Sequence, residues 1–382
     1  MNVYIDYLRR VLPAVLLLPV FVAGCGGGSG GGGTGSGNGG SNVPSGPPDL
    51  TSPTVTSMTP TEDSAGNPTN GRLTATLSEA VVATDINGDN FRLTDGDIAI
   101  PGTVSYNAAN HIAVFTPTGS LAQNQRYTAT VITGIKDPSG NPLMTDFAWC
   151  FVTGETEDVT APAVTSTSAA NVSINQKISA TFSEEMNAST LTPTNFTLTA
   201  VGIPAVSGTV RYHDRTAIFT PGSDLALNKM YTATITTGVK DLAGNAALVN
   251  VTWNFSTGAN EDVTAPVVIT SPADAATGVA VDTVMTASFN EPMDPITITT
   301  ANFRLSGPDA IAVTGIVTYD VTNNTASFTR ANHLITPVDF HTVPVSRLEP
   351  GTTYTATLTT GARDMAGNEL ESNWVWSFTT AP

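Results

Sequence analysis

The chain repeats itself three times. Asp49-Leu50-Thr51-Ser52-Pro53 returns as Asp158-Val159-Thr160-Ala161-Pro162 and again as Asp262-Val263-Thr264-Ala265-Pro266. A period of roughly a hundred residues is that of a whole domain, not of a solenoid unit, so one small fold must be built three times. The same landmarks follow in the same order within each copy. An alternating segment holds Leu73, Ala75 and Leu77, then Ile178, Ala180 and Phe182, then Met285, Ala287 and Phe289, and each time a glutamate follows it: Glu79, Glu184 and Glu291. Next come Asn90-Phe91, Asn195-Phe196 and Asn302-Phe303, and later Tyr127, Tyr231 and Tyr354, each opening a Tyr-Thr-Ala-Thr segment. The last segment carries Trp149 and Phe151, Trp253 and Phe255, or Trp376 and Phe378. Apolar residues alternating with threonine mark half-buried strands. About seven such strands per copy, separated by turn residues, describe an all-β sandwich.

A leucine stands six residues before each tyrosine of the Tyr-Thr-Ala-Thr segment: Leu121, Leu225 and Leu348. That spacing matches the tyrosine corner of immunoglobulin-like sandwiches, where the hydroxyl bonds backbone just upstream. After that strand comes Lys136 to Asn141, then Lys240 to Asn245, then Arg363 to Asn368, each with an Asp that starts a turn and a Gly that closes it. The Asp-x-Thr-Ala-Pro start, the Ser-Glu-x-Met stretch, Asn-Phe-x-Leu, Tyr-Thr-Ala-Thr and Lys-Asp-x-Ala-Gly-Asn resemble the bacterial Ig-like domains typified by S-layer proteins (SbsA-type, or Big_5). Copy 1 departs at Ala80-Val81 and at Thr51-Ser52-Pro53. The resemblance implies three tandem immunoglobulin-like β-sandwich domains, at 49–154, 158–258 and 262–380. It also implies a spacer or stalk role.

Ahead of the repeats, Arg9 and Arg10 precede an apolar run from Val11 to Ala23, the pattern of a signal peptide over 1–24. The run ends in Val22-Ala23-Gly24-Cys25, which resembles the bacterial lipobox. That implies lipid attachment at Cys25, and so a membrane partner. Residues 26–48 are almost wholly Gly, Ser, Asn and Pro, a composition that cannot bury apolar area and predicts a flexible Gly/Ser linker. Gly26 after the cysteine favours the outer membrane.

The net charge of −17 repels nucleic acid, and no Lys/Arg-rich run offsets it. No nucleophile, base or closed metal site recurs, so the chain reads as non-enzymatic. His111 and His213 lie at or beside a turn and read as surface residues. The strand arrangement of such a sandwich brings three acids to the N-terminal pole of each copy: Asp49, Glu79 and Asp137; Asp158, Glu184 and Asp241; Asp262, Glu291 and Asp364. Calcium takes six to eight oxygens, so these are candidate ligands, joined by Glu155, Glu157 and Glu261 from the preceding exits. Cys150 should point outward between Trp149 and Phe151, where an intermolecular disulfide could form. Copy 3 carries an insertion between Phe328 and Tyr354. Its apolar residues, Leu334 and Phe340 with His341 beside them, make Ala331–Pro350 the candidate loop for a protein or glycan ligand, placed at the far pole of a linear row.

Overall fold

The computed structural model describes residues 49–330 and 347–382. Copy 1 contributes β1 (Val55–Thr59), β2 (Leu73–Leu77), β3 (Phe91–Asp95), β4 (Ile98–Ala99), β5 (Gly102–Asn107), β6 (Ile112–Pro117), β7 (Arg126–Val131) and β8 (Phe147–Val152). Copy 2 contributes β9 (Val164–Thr167), β10 (Asn171–Val172), β11 (Ile178–Phe182), β12 (Phe196–Thr199), β13 (Gly208–His213), β14 (Thr216–Pro221), β15 (Met230–Ile235) and β16 (Val251–Thr257). Copy 3 contributes β17 (Val268–Ser271), β18 (Ala276–Val279), β19 (Met285–Phe289), β20 (Phe303–Ser306), β21 (Ala312–Val313), β22 (Gly315–Asp320), β23 (Thr325–Arg330), β24 (Thr353–Leu358) and β25 (Trp374–Thr380). The count slightly exceeds seven per copy because each copy adds short edge strands.

Each copy is two facing sheets. The first runs β1-β2-β6-β5, β9-β11-β14-β13 or β17-β19-β23-β22; the second runs β4-β3-β7-β8, β10-β16-β15-β12 or β18-β25-β24-β20-β21. The long strands pair antiparallel, while β10 on β16 and β18 on β25 are parallel. Between the sheets lies a repeated aromatic trio. Phe91 meets Phe115 and Trp149 at 5.9 and 5.8 Å between ring centres. Phe196 meets Phe219 and Trp253 at 5.6 and 5.7 Å, and Phe303 meets Phe328 and Trp376 at 5.8 and 5.7 Å. The phenylalanine pair crosses from one sheet to the other, so it fixes their separation as well as burying area.

The tyrosine corner forms in all three copies. The backbone N–H of Ala122, Ala226 and Glu349 donates to the hydroxyl of Tyr127, Tyr231 and Tyr354 at 2.9, 2.8 and 2.9 Å. A polar tip that would otherwise be stranded at the core edge is thereby satisfied.

Strands β6 and β14 break the alternation. Ile112, Ala113, Val114 and Phe115 are all buried, as are Thr216, Ala217, Ile218 and Phe219. Ala113 and Phe115 face the copy-1 core, whereas Ile112 and Val114 join the apolar cluster of copy 2. In β23 the matching outward positions are Thr325 and Ser327, and neither is fully buried. Copy 1 thus offers an apolar outer face to its successor, and copy 3 ends in a polar one.

Gly102, Gly208 and Gly315 each lie where an added Cβ would run into the ring of Phe115, Phe219 or Phe328. Overpacking of this kind costs roughly 1–3 kcal/mol. At Gly208 the Thr220 carbonyl is as close as the ring, so Gly208→Ala is expected to lower stability in a urea melt by about that amount; an unchanged midpoint would show that both ring and backbone can move aside.

Candidate functional site at the domain junctions

The three acids predicted for each pole do come together. In each of the groups Asp49/Glu79/Asp137, Asp158/Glu184/Asp241 and Asp262/Glu291/Asp364, one carboxylate oxygen per residue lies within 4.8 Å of the others. Local chemistry positions each member. The linker aspartate turns its Oδ1 onto the N–H two residues ahead, from Thr51, Thr160 or Thr264, at 2.9, 2.8 and 3.0 Å. The loop aspartate is almost fully buried. Asp364 Oδ1 accepts the N–H groups of Ala366, Gly367 and Asn368 at 2.8, 2.6 and 2.8 Å, and its Oδ2 accepts from the Asn368 side-chain amide at 2.8 Å. Asp241 does the same with Gly244 and Asn245, and Asp137 with Asn141. The glutamate comes from the end of the alternating strand.

Three carboxylates at this range repel one another. Burial, and then the charges of Asp158 and Asp241, push the Glu184 carboxyl up to about 7. Burial and the neighbouring aspartates raise Glu79 and Glu291 as well. Glu79 Oε1 is buried without a hydrogen-bond partner. Such a donor set suits a hard divalent cation, with part of the shell left for water. The preceding exits do not add to these groups among the described residues: Glu157 instead accepts from the Ser120 hydroxyl at 2.6 Å.

Sequence reasoning missed what holds the junctions. Asn70 of copy 1 grips the backbone of Asp158: its amide donates to the Asp158 carbonyl at 3.0 Å, and its Oδ1 accepts the Asp158 N–H at 2.8 Å. Asn175 grips Asp262 in the same way, at 2.9 Å for both bonds. Asn245 and Asn368 reach the same two carbonyls from the other side, at 3.2 and 3.1 Å. Two residues after the gripping asparagine, the N–H of Arg72 or Lys177 donates to the carbonyl of Leu242 or Met365, in the loop that holds the buried aspartate. Lys177 Nζ also pairs with Asp294 of copy 3 at 2.6 Å. Arg72 holds the matching place in the first junction. There Asn187 stands where copy 3 has Asp294, and Arg72 Nη1 is buried without a partner. The spacing Asn-x-basic just before the alternating strand, with Asp282-Thr283-Val284 in copy 3, is the signal that could have revealed the clamp.

The expectation of a linear row needs correction. Strand β1 of copy 1 lies against β22 of copy 3, and Ile316 packs on the copy-1 core. A cavity of about 110 Å³ is lined by all three copies, among them Ile112, Glu185, Tyr212 and Val317. One junction geometry, used twice, brings copy 3 back to copy 1. The surface reading of His111 and His213 is also corrected: both are partly buried, His111 in its hairpin turn and His213 at the end of β13, and both hairpins touch a neighbouring copy. Arg211 Nε donates to the Ala109 carbonyl at 3.1 Å, and the Tyr212 N–H to Asn110 Oδ1 at 2.7 Å, which docks the copy-1 hairpin on copy 2. Cys150 is partly exposed between buried Trp149 and Phe151, with its Sγ 3.4 Å from the Thr128 hydroxyl. Cys25, and Leu334, Phe340 and His341 of the copy-3 insertion, lie outside the described residues.

A family model for the bacterial Ig-like domain (Big_5) matches residues 49–153, 158–257 and 262–380, and the chain belongs to this family. A comparison with curated proteins finds no match. Among solved structures, the N-terminal part of the bacterial S-layer protein SbsC is 14% identical with a TM-score of 0.24, covering 57% of this chain and 44% of that one. The S-layer protein rSbsC(31-844) is 11% identical with a TM-score of 0.24, covering 87% and 54%. Sidekick-1 immunoglobulin domains 1-4 are 8% identical with a TM-score of 0.23, covering 86% and 76%. The chain spans about half the length of the S-layer structures it matches.

Two outcomes follow from the junctions. A carboxyl whose folded value lies above its unfolded one favours folding at low pH, and that contribution is lost as pH rises from about 4.5 to about 7. In chelator at pH 7.5, Glu184→Gln should therefore melt higher than the parent, with the gap closing below pH 4.5; a lower melting temperature at pH 7.5 would show that the charge is stabilised, not crowded. Asn175→Ala leaves the Asp262 N–H without its copy-2 acceptor. Calorimetry should then resolve copy 3 melting apart from copies 1 and 2, and one unchanged transition would rule out the clamp as the coupling element.

Proposed function

We propose that this protein is a non-enzymatic cell-envelope lipoprotein, held to the membrane by lipid on Cys25, whose three sandwiches form a structural spacer or interaction module. The observation that supports this reading best is the repeated junction. Asn70 and Asn175 each fix the backbone of the next copy's first residue, as a load-transmitting block requires. Bacterial Ig-like domains are typically structural, which agrees with it. Among the described residues no helix is long and apolar enough to cross a membrane. In this reading the lipid at Cys25 would carry the attachment, with the outer membrane as its place.

Calcium is the cofactor this reading assigns to Asp158, Glu184 and Asp241, to Asp262, Glu291 and Asp364, and to the equivalent group in copy 1. The ion would neutralise crowded carboxylates and stiffen each pole beside its clamp. A protein or glycan partner at the copy-3 insertion, and a disulfide to a second molecule through Cys150, are further roles for the same block.

A cation that binds only the folded state raises the melting temperature by mass action. Millimolar calcium should raise the melting temperature over that in excess chelator, and Glu184→Ala with Glu291→Ala should abolish most of the rise. Superimposable curves would remove calcium and leave a spacer braced by its hydrogen bonds, the Lys177–Asp294 ion pair and the apolar face of copy 1. Labelled palmitate incorporated by the parent but not by Cys25→Ala tests the anchor.

A further inference from the structure

We propose that the first junction holds a binding site for a free α-amino acid with an apolar side chain, its carboxylate on Arg72 and its ammonium on Glu185. This goes beyond the spacer reading and does not depend on the cation, since Glu185 lies outside the acid groups assigned to calcium.

The site is a partly open cavity of about 170 Å³ between copies 1 and 2. Its copy-1 wall is apolar, with Pro60, Pro68, Leu73, Leu121 and Phe151, and Leu242 of copy 2 faces them. The charged lining residues are Arg72 from copy 1, Asp158 from the linker, and Glu184 and Glu185 from copy 2. Opposite charges that share a partly dry space are expected to pair, because a lone buried charge is costly. These do not. The ion pairs among the described residues are Arg126–Asp63, Lys177–Asp294 and Arg363–Glu369, so Arg72 pairs with none of the lining carboxylates. Its Nη1 is buried with no hydrogen-bond partner.

The second junction shows what is missing. Lys177 holds the place of Arg72 there, and Asp294 takes its charge; Pro292 holds the place of Glu185. The first junction has Asn187 for Asp294 and Glu185 for the proline. One substitution leaves a cation without its acid, and the other adds an acid to the same cavity. Asp158 and Glu184 are grouped with Asp241 at the pole, so Glu185 is the lining acid outside that group. The Tyr212 hydroxyl donates to its Oε2 at 2.7 Å, and among the described residues Oε1 accepts no hydrogen bond. Burial lifts the carboxyl to about 7, as a group short of a cation requires.

A simple anion in this cavity would face three carboxylates, and a simple amine would face the guanidinium. A zwitterion answers both charges and lays its apolar body on the copy-1 wall. An apolar cavity of about 150 Å³ holds a benzene. The larger, partly open space here fits a ligand on the scale of valine or leucine. A peptide terminus carries one of the two charges and leaves the other group unmatched.

The test is isothermal titration of the dialysed full chain in detergent and chelator at pH 8, where Glu185 is ionised, with L-valine, L-leucine and L-phenylalanine. At least one should bind with a sub-millimolar Kd. For leucine, isocaproate lacks the ammonium and isoamylamine lacks the carboxylate; each should bind about tenfold weaker or worse, the loss of one charge-assisted contact. Arg72→Gln and Glu185→Gln should each weaken the amino acid by a similar factor, and Lys177→Gln, at the matching place of the second junction, should not. No heat from any of the three amino acids at millimolar concentration would overturn the proposal. So would isocaproate or isoamylamine binding as tightly as leucine, or an unchanged Kd in a folded Arg72→Gln or Glu185→Gln. The analogue series uses the parent protein, so it decides the matter if either variant fails to fold.

Discussion

An asparagine side chain holding both backbone groups of one linker residue is the interaction on which this assembly depends. A primary amide presents a donor and an acceptor side by side, so Asn70 and Asn175 can satisfy the N–H and the C=O of Asp158 and Asp262 together. An aspartate cannot do this, because it has no donor when ionised. Copy 3 has Asp282 at that place, next to an outer sheet face with Thr325 and Ser327 in place of Ile112 and Val114. Clamp and apolar face are present together in copy 1, at its junction with copy 2, and are lost together in copy 3.

The clamped residue is also an acid-cluster ligand, and this joins mechanics to electrostatics. The Asp158 backbone is fixed by copy 1 on one side and by Asn245 on the other, while its carboxylate is turned by Thr160 toward Glu184 and Asp241. The crowded charge therefore sits on the hinge itself. Whatever neutralises it, a proton or a cation, acts on the part of the chain that sets the angle between neighbours. The hairpins that carry His111 and His213 also meet a neighbouring copy, the first through Arg211 and Tyr212 of copy 2 and the second against Pro295–Thr297 of copy 3.

Much of a single sandwich was legible in the residues. Strand periodicity, the tyrosine corner and the buried loop aspartate all rest on local rules: alternation across a pleat, a hydroxyl reaching a nearby N–H, a carboxylate capping its own turn. The meeting of Asp158, Glu184 and Asp241 followed from strand order alone, because the order puts two loops and the first strand at one pole. The demand for glycine at 102, 208 and 315 was not legible, since a ring and a backbone carbonyl of the neighbouring strand together forbid a side chain there.

The amino-acid sequence by itself determined that this chain builds one β-sandwich three times, where each core lies and which acids share a pole. Those outcomes depend on contacts within a single copy, whose pattern the repeat displays in triplicate. Only the tertiary structure decided how the copies meet: that copy 3 returns to copy 1, that Asn70 and Asn175 are clamps, and that His111 and His213 are partly buried in hairpins facing other copies. Contacts between copies join residues 87 to 117 positions apart at the clamps and docking side chains, and farther still where copy 3 meets copy 1, and their sidedness is set by the angle at each linker. Ile112 and Val114 hinted at a covered outer face, but what covers them is fixed by where the next sandwich lands.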